Sequence, residues 1–374
     1  MKYKFDEIAI NCTKKKQPTD TDRKTYIGLE HIDPENFTIS RWGSDITPTG
    51  EKLVMEKGDI LFGKRRAYQR KVAIAPFNGI FSAHGMVLRP KTNVIDSAFF
   101  PFFIASDQFM ETAVRISVGG LSPTINWKDL KTQEFEIPPL EEQKILADKL
   151  WAAYRLKEAY MHLLIATDEM VKSQFIEMFG NPLFSDEDDA IELREVTEIV
   201  LGSTPNSKNE RYWNGNLCWI TPSELSDDSF EVANTERHIS EDGAKSANLT
   251  LMPKGTVLLS TRAPIGKVAL TTCPMYCNQG FKNMICTDGI NNVFLYYTLK
   301  YNKNRLQSMG TGTTFKELSK KIIESIKISV PPIQAQKEFE SIYRQADKSK
   351  YYVQNKLNYI CHILTKQIQL KRCS

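Results

Sequence analysis

Apolar residues recur at three- and four-residue steps along two long stretches of the chain, and in shorter, interrupted runs elsewhere. The first stretch carries Leu146, Leu150, Ala153, Leu156, Tyr160, Leu163, Leu164, Met170, Val171, Phe175 and Met178. The second carries Phe339, Tyr343, Ala346, Val353, Leu357, Ile360, Leu364 and Ile368. Such spacing predicts helices with an apolar seam. Pro138-Pro139 precedes the first and Pro331-Pro332 the second. Proline suits a helix start because it lacks the N–H that would be orphaned there. Glu141 and Glu142 favour the positive end of the helix dipole, and Gly180 and Pro182 mark the stop. A helix of about 40 residues is a rod about 60 Å long, more than one small domain can cover. The economical partner for each rod is the other one; the competing arrangement packs each helix on its own domain.

Ahead of the first rod the pattern is short and β-like, as in Ile60-Leu61-Phe62, Val72-Ala73-Ile74-Ala75 and Met86-Val87-Leu88, punctuated by Gly and Pro. Phe99 to Phe109 predicts a short aromatic helix. These segments occur twice. Pro138-Pro139-Leu140-Glu141-Glu142-Gln143-Lys144 returns as Pro331-Pro332-Ile333-Gln334-Ala335-Gln336-Lys337, an offset of 193 residues (138 to 331). Tyr26-Ile27 pairs with Trp219-Ile220, Lys57-Gly58-Asp59-Ile60-Leu61 with Lys254-Gly255-Thr256-Val257-Leu258, and Lys71-Val72-Ala73 with Lys267-Val268-Ala269. A period this long means a duplicated domain-plus-helix module. The expected fold is α+β: two similar mixed α/β domains, at 1–138 and 183–331, separated by helices at 139–182 and 332–374. If the helices pack as an antiparallel coiled coil, the duplication generates a pseudo-two-fold axis. The acidic run Ser185 to Asp189 reads as a solvated linker.

Composition changes this picture little until charge is mapped. Net charge is only +4. Yet Ile60 to Ile95 holds no Asp or Glu, against Lys64, Arg65, Arg66, Arg70, Lys71, Arg89 and Lys91. Gly243 to Thr287 is also free of acid, against Lys245, Lys254, Arg262, Lys267 and Lys282. The two windows fall at equivalent places in the repeat. Buried strands explain missing acids but not surplus bases, so an anionic partner is expected. No signal-like segment opens the chain and no apolar run is long enough to span a membrane, so the expected location is the cytoplasm. The seven cysteines follow no framework and are expected to be reduced thiols. No metal site is expected: the only close pair, Cys273 and Cys277, has no counterpart in the first half.

Catalytic signatures are missing. No Gly-rich loop opens a helix as a dinucleotide site requires, and Gly310-Thr311-Gly312-Thr313-Thr314 lacks the lysine of a phosphate-binding loop. A duplicated, rod-bearing chain without convergent chemistry reads as a reader or scaffold.

The repeated unit resembles the specificity subunit of type I restriction–modification enzymes. The resemblance rests on the two Pro-Pro motifs, on Phe175-Ile176-Glu177-Met178-Phe179-Gly180-Asn181-Pro182, on Gly310-Thr311-Gly312-Thr313-Thr314-Phe315-Lys316-Glu317-Leu318-Ser319, and on the Lys-Gly-x-Ile/Val-Leu strands. It implies two target-recognition domains on double-stranded DNA, each reading half of a bipartite, asymmetric site. It implies helices that space the halves and dock two methyltransferase subunits. Those subunits bind S-adenosylmethionine and methylate adenine; this chain binds no cofactor and catalyses nothing. Motor–nuclease subunits join for restriction. The first copy departs by carrying Gly119-Gly120-Leu121-Ser122-Pro123 where the second has Gly312-Thr313-Thr314-Phe315-Lys316, and the second helix lacks the Glu-Glu pair.

Base contacts do not transfer with the resemblance, so the residues expected on DNA come from physics. Arg pairs bidentately with guanine and Gln with adenine. In the first copy these residues are Lys64, Arg65, Arg66, Gln69, Arg70, Lys71 and His84. In the second they are Arg262, Lys267, Asn278, Gln279, Lys282, Thr313 and Lys316. A docking subunit should also expose aromatic residues outside the helix seam, and Trp151, Tyr154, Tyr351 and Tyr352 are the candidates. The alternative function is a stand-alone tandem DNA-binding regulator, which needs no such outer surface. A fused nuclease or methyltransferase is disfavoured by the missing motifs.

Overall fold

The two Pro-Pro motifs each start a long helix, Leu140–Phe179 and Ile333–Ile368. The first stops where the Gly180 backbone turns left-handed (φ +62°) while its N–H still reaches the Ile176 carbonyl at 2.8 Å. The computed structural model describes residues 1–262, 264–311 and 316–368, with side chains on the second helix as far as Leu364. Residues 369–374 of the segment expected at 332–374, and the side chain of Ile368, lie outside the described part. The chain forms two compact units, Met1–Leu163 with Val353–Ser374, and Leu164–Tyr352. Each unit takes a share of both helices, so the unit boundaries cut the rods instead of following the four expected segments.

The first unit has two four-stranded sheets. One runs Ala9–Cys12, Met86–Pro90, Ile60–Phe62, Val72–Ile74, and the other Lys15–Lys16, Lys52–Met55, Gly79–Phe81, Tyr26–Ile27. The second unit has a five-stranded sheet, Thr197–Leu201, Lys282–Cys286, Val257–Leu259, Val268–Thr271, Glu231–Val232. Its three-stranded sheet runs Arg237–Ile239, Leu217–Ile220, Tyr276–Cys277. The plan repeats down to register: Tyr26 and Ile27 pair in parallel with Ile80 and Phe81, as Trp219 and Ile220 do with Tyr276 and Cys277. Gly58 and Gly255 hold the same position before a core strand because both need positive φ, +92° and +88°. The predicted aromatic helix is two helices, Phe100–Ala105 and Asp107–Arg115. Ser106 ends one in an extended conformation and caps the other, its Oγ accepting the Phe109 N–H at 3.2 Å.

The helices are antiparallel within each unit. In the second, Asp168 meets Lys350 at 2.6 Å and Phe175 packs on Phe339 with ring centroids 5.1 Å apart. Phe175, Val171, Phe339, Tyr343 and Ala346 join that unit's sheet core. In the first unit Ala147, Leu150, Tyr154, Ile360 and Leu364 join its core. Seam pairing and packing on the domain are therefore one arrangement rather than alternatives. On the second helix Phe339 to Leu364 is buried as the stripe predicts. On the first helix Leu156, Leu163 and Met170 are exposed, correcting the stripe. That helix is apolar on two faces, and steps of three and four slide from one to the other.

The Pro-Pro motif also contains a tie. Gln143, 1% exposed, accepts the Asp96 N–H at 2.7 Å and donates to the Val94 and Pro138 carbonyls at 3.0 and 2.8 Å. Gln336, fully buried, accepts the Asn291 N–H at 2.8 Å and donates to the Gly289 and Pro331 carbonyls. Each glutamine thus fastens a helix start to the loop that leads into its own domain's helical layer.

Candidate nucleic-acid interface

The loop between strands Ile60–Phe62 and Val72–Ile74 is closed by Gly63 N–H to the Lys71 carbonyl at 2.9 Å. Arg66 and Arg70 are both left-handed (φ 57° and 53°) and flank a turn at Ala67–Gln69. Two non-glycine residues in that conformation store strain, which the buried Ala67 between them holds in place. The loop is then tied into a junction: Arg66 N–H reaches the Pro123 carbonyl at 2.8 Å, Ile125 N–H the Lys64 carbonyl at 3.0 Å, and Arg65 bridges Thr124. Side chains follow the backbone. Arg66 donates to Ser122 Oγ at 3.1 and 3.3 Å, and Arg65 Nη1 lies 3.5 Å from His84 Nε2.

Arg65, Arg66, His84 and the half-buried Lys64 therefore gather on one surface. Burial, with Lys15 nearby, pulls the Lys64 ammonium below its ordinary pKa. Burial, then Arg65, Lys64 and Lys52, pull His84 below the usual imidazole value. Lys15 and Lys52 arrive on other strands, paired as Lys15 with Leu53 and Lys16 with Lys52, but both are engaged elsewhere: Lys15 lies 3.5 Å from Glu51, and the buried Lys52 donates to the Thr49 and Gly50 carbonyls. Tyr68, 55% exposed at the loop tip, was missed in the sequence, since an isolated tyrosine carries no local signal. Gln69 is half-buried beside it.

Three expected contacts in the two loops are committed to the fold. Arg70 donates to Asp107 Oδ1 at 2.6 Å and the Ala105 carbonyl at 2.9 Å. Lys71 donates to the Leu29 carbonyl at 2.6 Å. Lys267 does the same in the second unit, to the Pro222 carbonyl at 3.2 Å and the Leu225 carbonyl. These ammonium groups hold the turns after Tyr26–Ile27 and Leu217–Ile220, which corrects their placement among DNA contacts.

The second unit repeats the junction with other side chains. Arg262 bridges Glu317 as Arg65 bridges Thr124, and Leu318 N–H reaches the Thr261 carbonyl at 3.0 Å as Ile125 reaches Lys64. Glu317 Oε2 accepts from Arg262 Nε at 2.9 Å and Oε1 from Lys282 Nζ at 2.7 Å. Burial raises the Glu317 carboxyl, but these two hydrogen bonds outweigh it and hold the group below the usual carboxylate range. The Lys282 side chain is only 9% exposed and also reaches Thr261 Oγ1, so it is a buried partner of Glu317 and not a direct DNA contact, another correction.

Gln279 accepts from Thr204 Oγ1 at the surface. Asn278 Oδ1 accepts the Gly280 N–H at 2.8 Å, which shapes the loop, while Asn278 N–H reaches Ile220 as Ser82 N–H reaches Ile27. Lys316 is exposed, and Thr313 lies outside the described residues.

Of the four aromatic candidates for docking, two face inward. Tyr154, 4% exposed, has its hydroxyl on Asn36 Oδ1 and accepts the Phe37 N–H at 2.9 Å. Trp151 donates to the Ala98 carbonyl at 2.8 Å and packs on Phe37 and Phe102. Both fasten the helix to the first unit, because they lie on its inner face, Tyr154 four residues after Leu150. Tyr351 and Tyr352 are exposed, 73% and 61%. The outer face of the first helix was missed: within the first unit Ile145, Ala152, Leu156, Ala159 and Leu163 recur at heptad-like steps and are all exposed.

Among the described residues no group of three His, Cys, Asp or Glu could hold a metal ion, and no helix is long and apolar enough to cross a membrane.

Known proteins share this architecture. A family model described as the type I restriction modification DNA specificity domain matches twice, over residues 2–161 and 187–360. The specificity subunit of type I restriction enzyme MjaIX from Methanocaldococcus jannaschii is 35% identical over 162 residues, 42% of this chain but only 38% of that relative. The putative MjaX specificity subunit from the same organism is 26% identical over 350 residues, 88% of this chain and 82% of the relative. A chain from a type I R-M system, solved to explain complex assembly and conformational transition, superposes with a TM-score of 0.61 at 20% identity. It covers 98% of this chain and 96% of its own length. The type I system S subunit from M. genitalium gives a TM-score of 0.57 at 16% identity, over 99% of this chain and 95% of that one. The two matched segments coincide with the two sheet systems and reach into both long helices, so the chain belongs to the type I restriction modification DNA specificity family.

Proposed function

We propose that this specificity chain reads a bipartite, asymmetric DNA sequence, one half-site per unit, and that its helices set the gap and dock two methyltransferase subunits. The observation that carries the reading is one backbone junction furnished twice with different side chains. Arg65, Arg66, His84 and Ser122 stand on it in the first unit, and Arg262 and Glu317 in the second, with the buried Lys282 holding Glu317 from beneath. A shared scaffold presents side chains to DNA at equivalent places, and their differences decide which bases are accepted. The surrounding bases neutralise phosphates and supply affinity without sequence information.

The exposed stripe Ile145, Ala152, Leu156, Ala159 and Leu163 supports docking, since heptad spacing on an outward face suits a partner helix. A stand-alone regulator has no use for it. Methyl transfer to adenine and S-adenosylmethionine binding belong to the docked subunits, and this chain supplies no catalytic group. Motor–nuclease subunits join the same complex for restriction.

The test is methylome sequencing of cells expressing the chain with its methyltransferase partner. The expected result is adenine methylation at a two-part motif, with none from either protein alone. Methyl transfer by the isolated chain, or a continuous motif, would refute the proposal. Exchanging residues 1–138 for a relative's domain should change one half-site only.

A further inference from the structure

We infer that Arg262 reads a guanine in the half-site of the second unit, with Glu317 as the positioning residue that holds it. The inference rests on the DNA-reading assignment above and adds the base and the device.

The two units differ at one matched position. Arg65 bridges Thr124 in the first, and Arg262 bridges Glu317 in the second. Glu317 divides its carboxylate between a sunken base and an open one. Lys282, 9% exposed, anchors Oε1, while the Arg262 side chain, 47% exposed, is held at Oε2. The contact to Arg262 uses Nε and not the fork of its terminal amino groups. The arginine stands over an open groove of about 580 Å³ whose lining includes Gln279, Thr311, Ser319 and Lys320.

A phosphate anchor needs only charge. Here one of two positive charges is cancelled by Glu317, which lowers the pull on a phosphate backbone. What the carboxylate contributes is orientation: an arginine fixed before binding loses less side-chain entropy when its planar fork engages. The acceptor pair that matches a bidentate arginine in the major groove is O6 and N7 of guanine. The first unit makes the opposite choice. Arg65 stands beside His84, next in the chain to Lys64, with Thr124 where the carboxylate would be. That arrangement puts a neutral hydroxyl at the bridge, which keeps the arginine's charge and does not orient its fork.

The experiment uses the complex with its methyltransferase partner. The wild-type methylome first defines both half-sites. The Glu317→Gln, Glu317→Thr and Arg262→Lys variants are then profiled in the same way, and duplex binding is measured against salt. In each variant, preference for one guanine of the second half-site should fall on the order of tenfold or more, the discrimination expected of one bidentate pair. The first half-site should not change. Non-specific affinity should hold in Arg262→Lys, which keeps the charge, and hold or rise in the Glu317 variants, which remove a negative one. A mere loss of fold would lower it. If Glu317→Gln melts early, Arg262→Lys decides alone, because that side chain is exposed.

A second half-site without guanine, unchanged base preference, or equal weakening on all sequences with a shallower salt slope would overturn the inference. A wild-type complex that methylates without sequence preference would overturn the functional reading, and this inference with it.

Discussion

Replacing Gln143 with Leu should loosen the first helix from its domain at a calculable cost. The side chain is 1% exposed and satisfies three backbone groups, the Asp96 N–H and the Val94 and Pro138 carbonyls. Leucine fills nearly the same volume and satisfies none. Each orphaned buried group costs about 1–3 kcal/mol, so three cost at least about 3 kcal/mol, a large share of the roughly 5–15 kcal/mol that holds a typical protein together. In a unit of this size that lowers the melting temperature by roughly 6–12 °C. Calorimetry and urea denaturation measure the loss, and hydrogen exchange locates it: the Asp96 amide should exchange faster in Gln143→Leu. Gln354→Leu is the control, since Gln354 is exposed and its amide donates to the equally exposed Asn358; it should change stability by less than about 0.5 kcal/mol. The tie also fixes the angle at which the helix leaves the reading domain. The variant complex should therefore methylate sites with a wider spread of gap lengths while keeping both half-sites. If Gln143→Leu proves as harmless as Gln354→Leu, the shared glutamine is not the fastening described here.

Leu156→Asp with Leu163→Asp should leave melting nearly unchanged, both residues being exposed, yet abolish assembly with the methyltransferase partner in analytical ultracentrifugation; unaltered assembly would remove this face from the docking surface. Arg65→Ala with Arg66→Ala should weaken DNA binding and make the logarithmic salt slope shallower by about 2, whereas Lys71→Met should leave that slope unchanged and cost stability instead. The Glu317 carboxyl has a folded pKa below its unfolded value, near 4.3. Its stabilising contribution is therefore complete above that value and lost as pH falls through the lower folded one. Urea midpoints of wild type and Glu317→Gln should converge only in acid, below about pH 4.

Periodicity gave the second helix almost residue by residue, because every apolar step from Phe339 to Leu364 faces inward. It blurred the first helix, where Leu150 and Tyr154 face the domain and Leu156 and Leu163 face out. Two apolar faces on one helix produce the same three- and four-residue steps as one wide face. Charge counting picked out two loops at matched places and did not see how several of their members are held. An acid-free window says nothing about acids that fold onto it from elsewhere, and Asp107 and Glu317 lie outside both windows yet neutralise Arg70 and Lys282. Nor does it register backbone carbonyls, which hold Lys71 and Lys267.

The duplication contains the remedy, because two copies on one backbone plan compare like two related sequences. Three pairs of positions kept in both copies hold the fold. Gln143 and Gln336 tie the helices, Gly58 and Gly255 share a positive φ, and Lys71 and Lys267 brace matching turns. A base retained at matched positions is therefore not in itself a sign of DNA contact, and what its side chain binds decides: Lys71 and Lys267 end on backbone carbonyls, whereas Arg262 stays 47% exposed. Positions that change on an unchanged junction carry the stronger signal. Thr124 against Glu317 is such a pair, and it sits beside the arginine that both copies keep in the bridge. The kept arginine gives each unit a donor at one place, and the changed neighbour determines whether that donor is aimed.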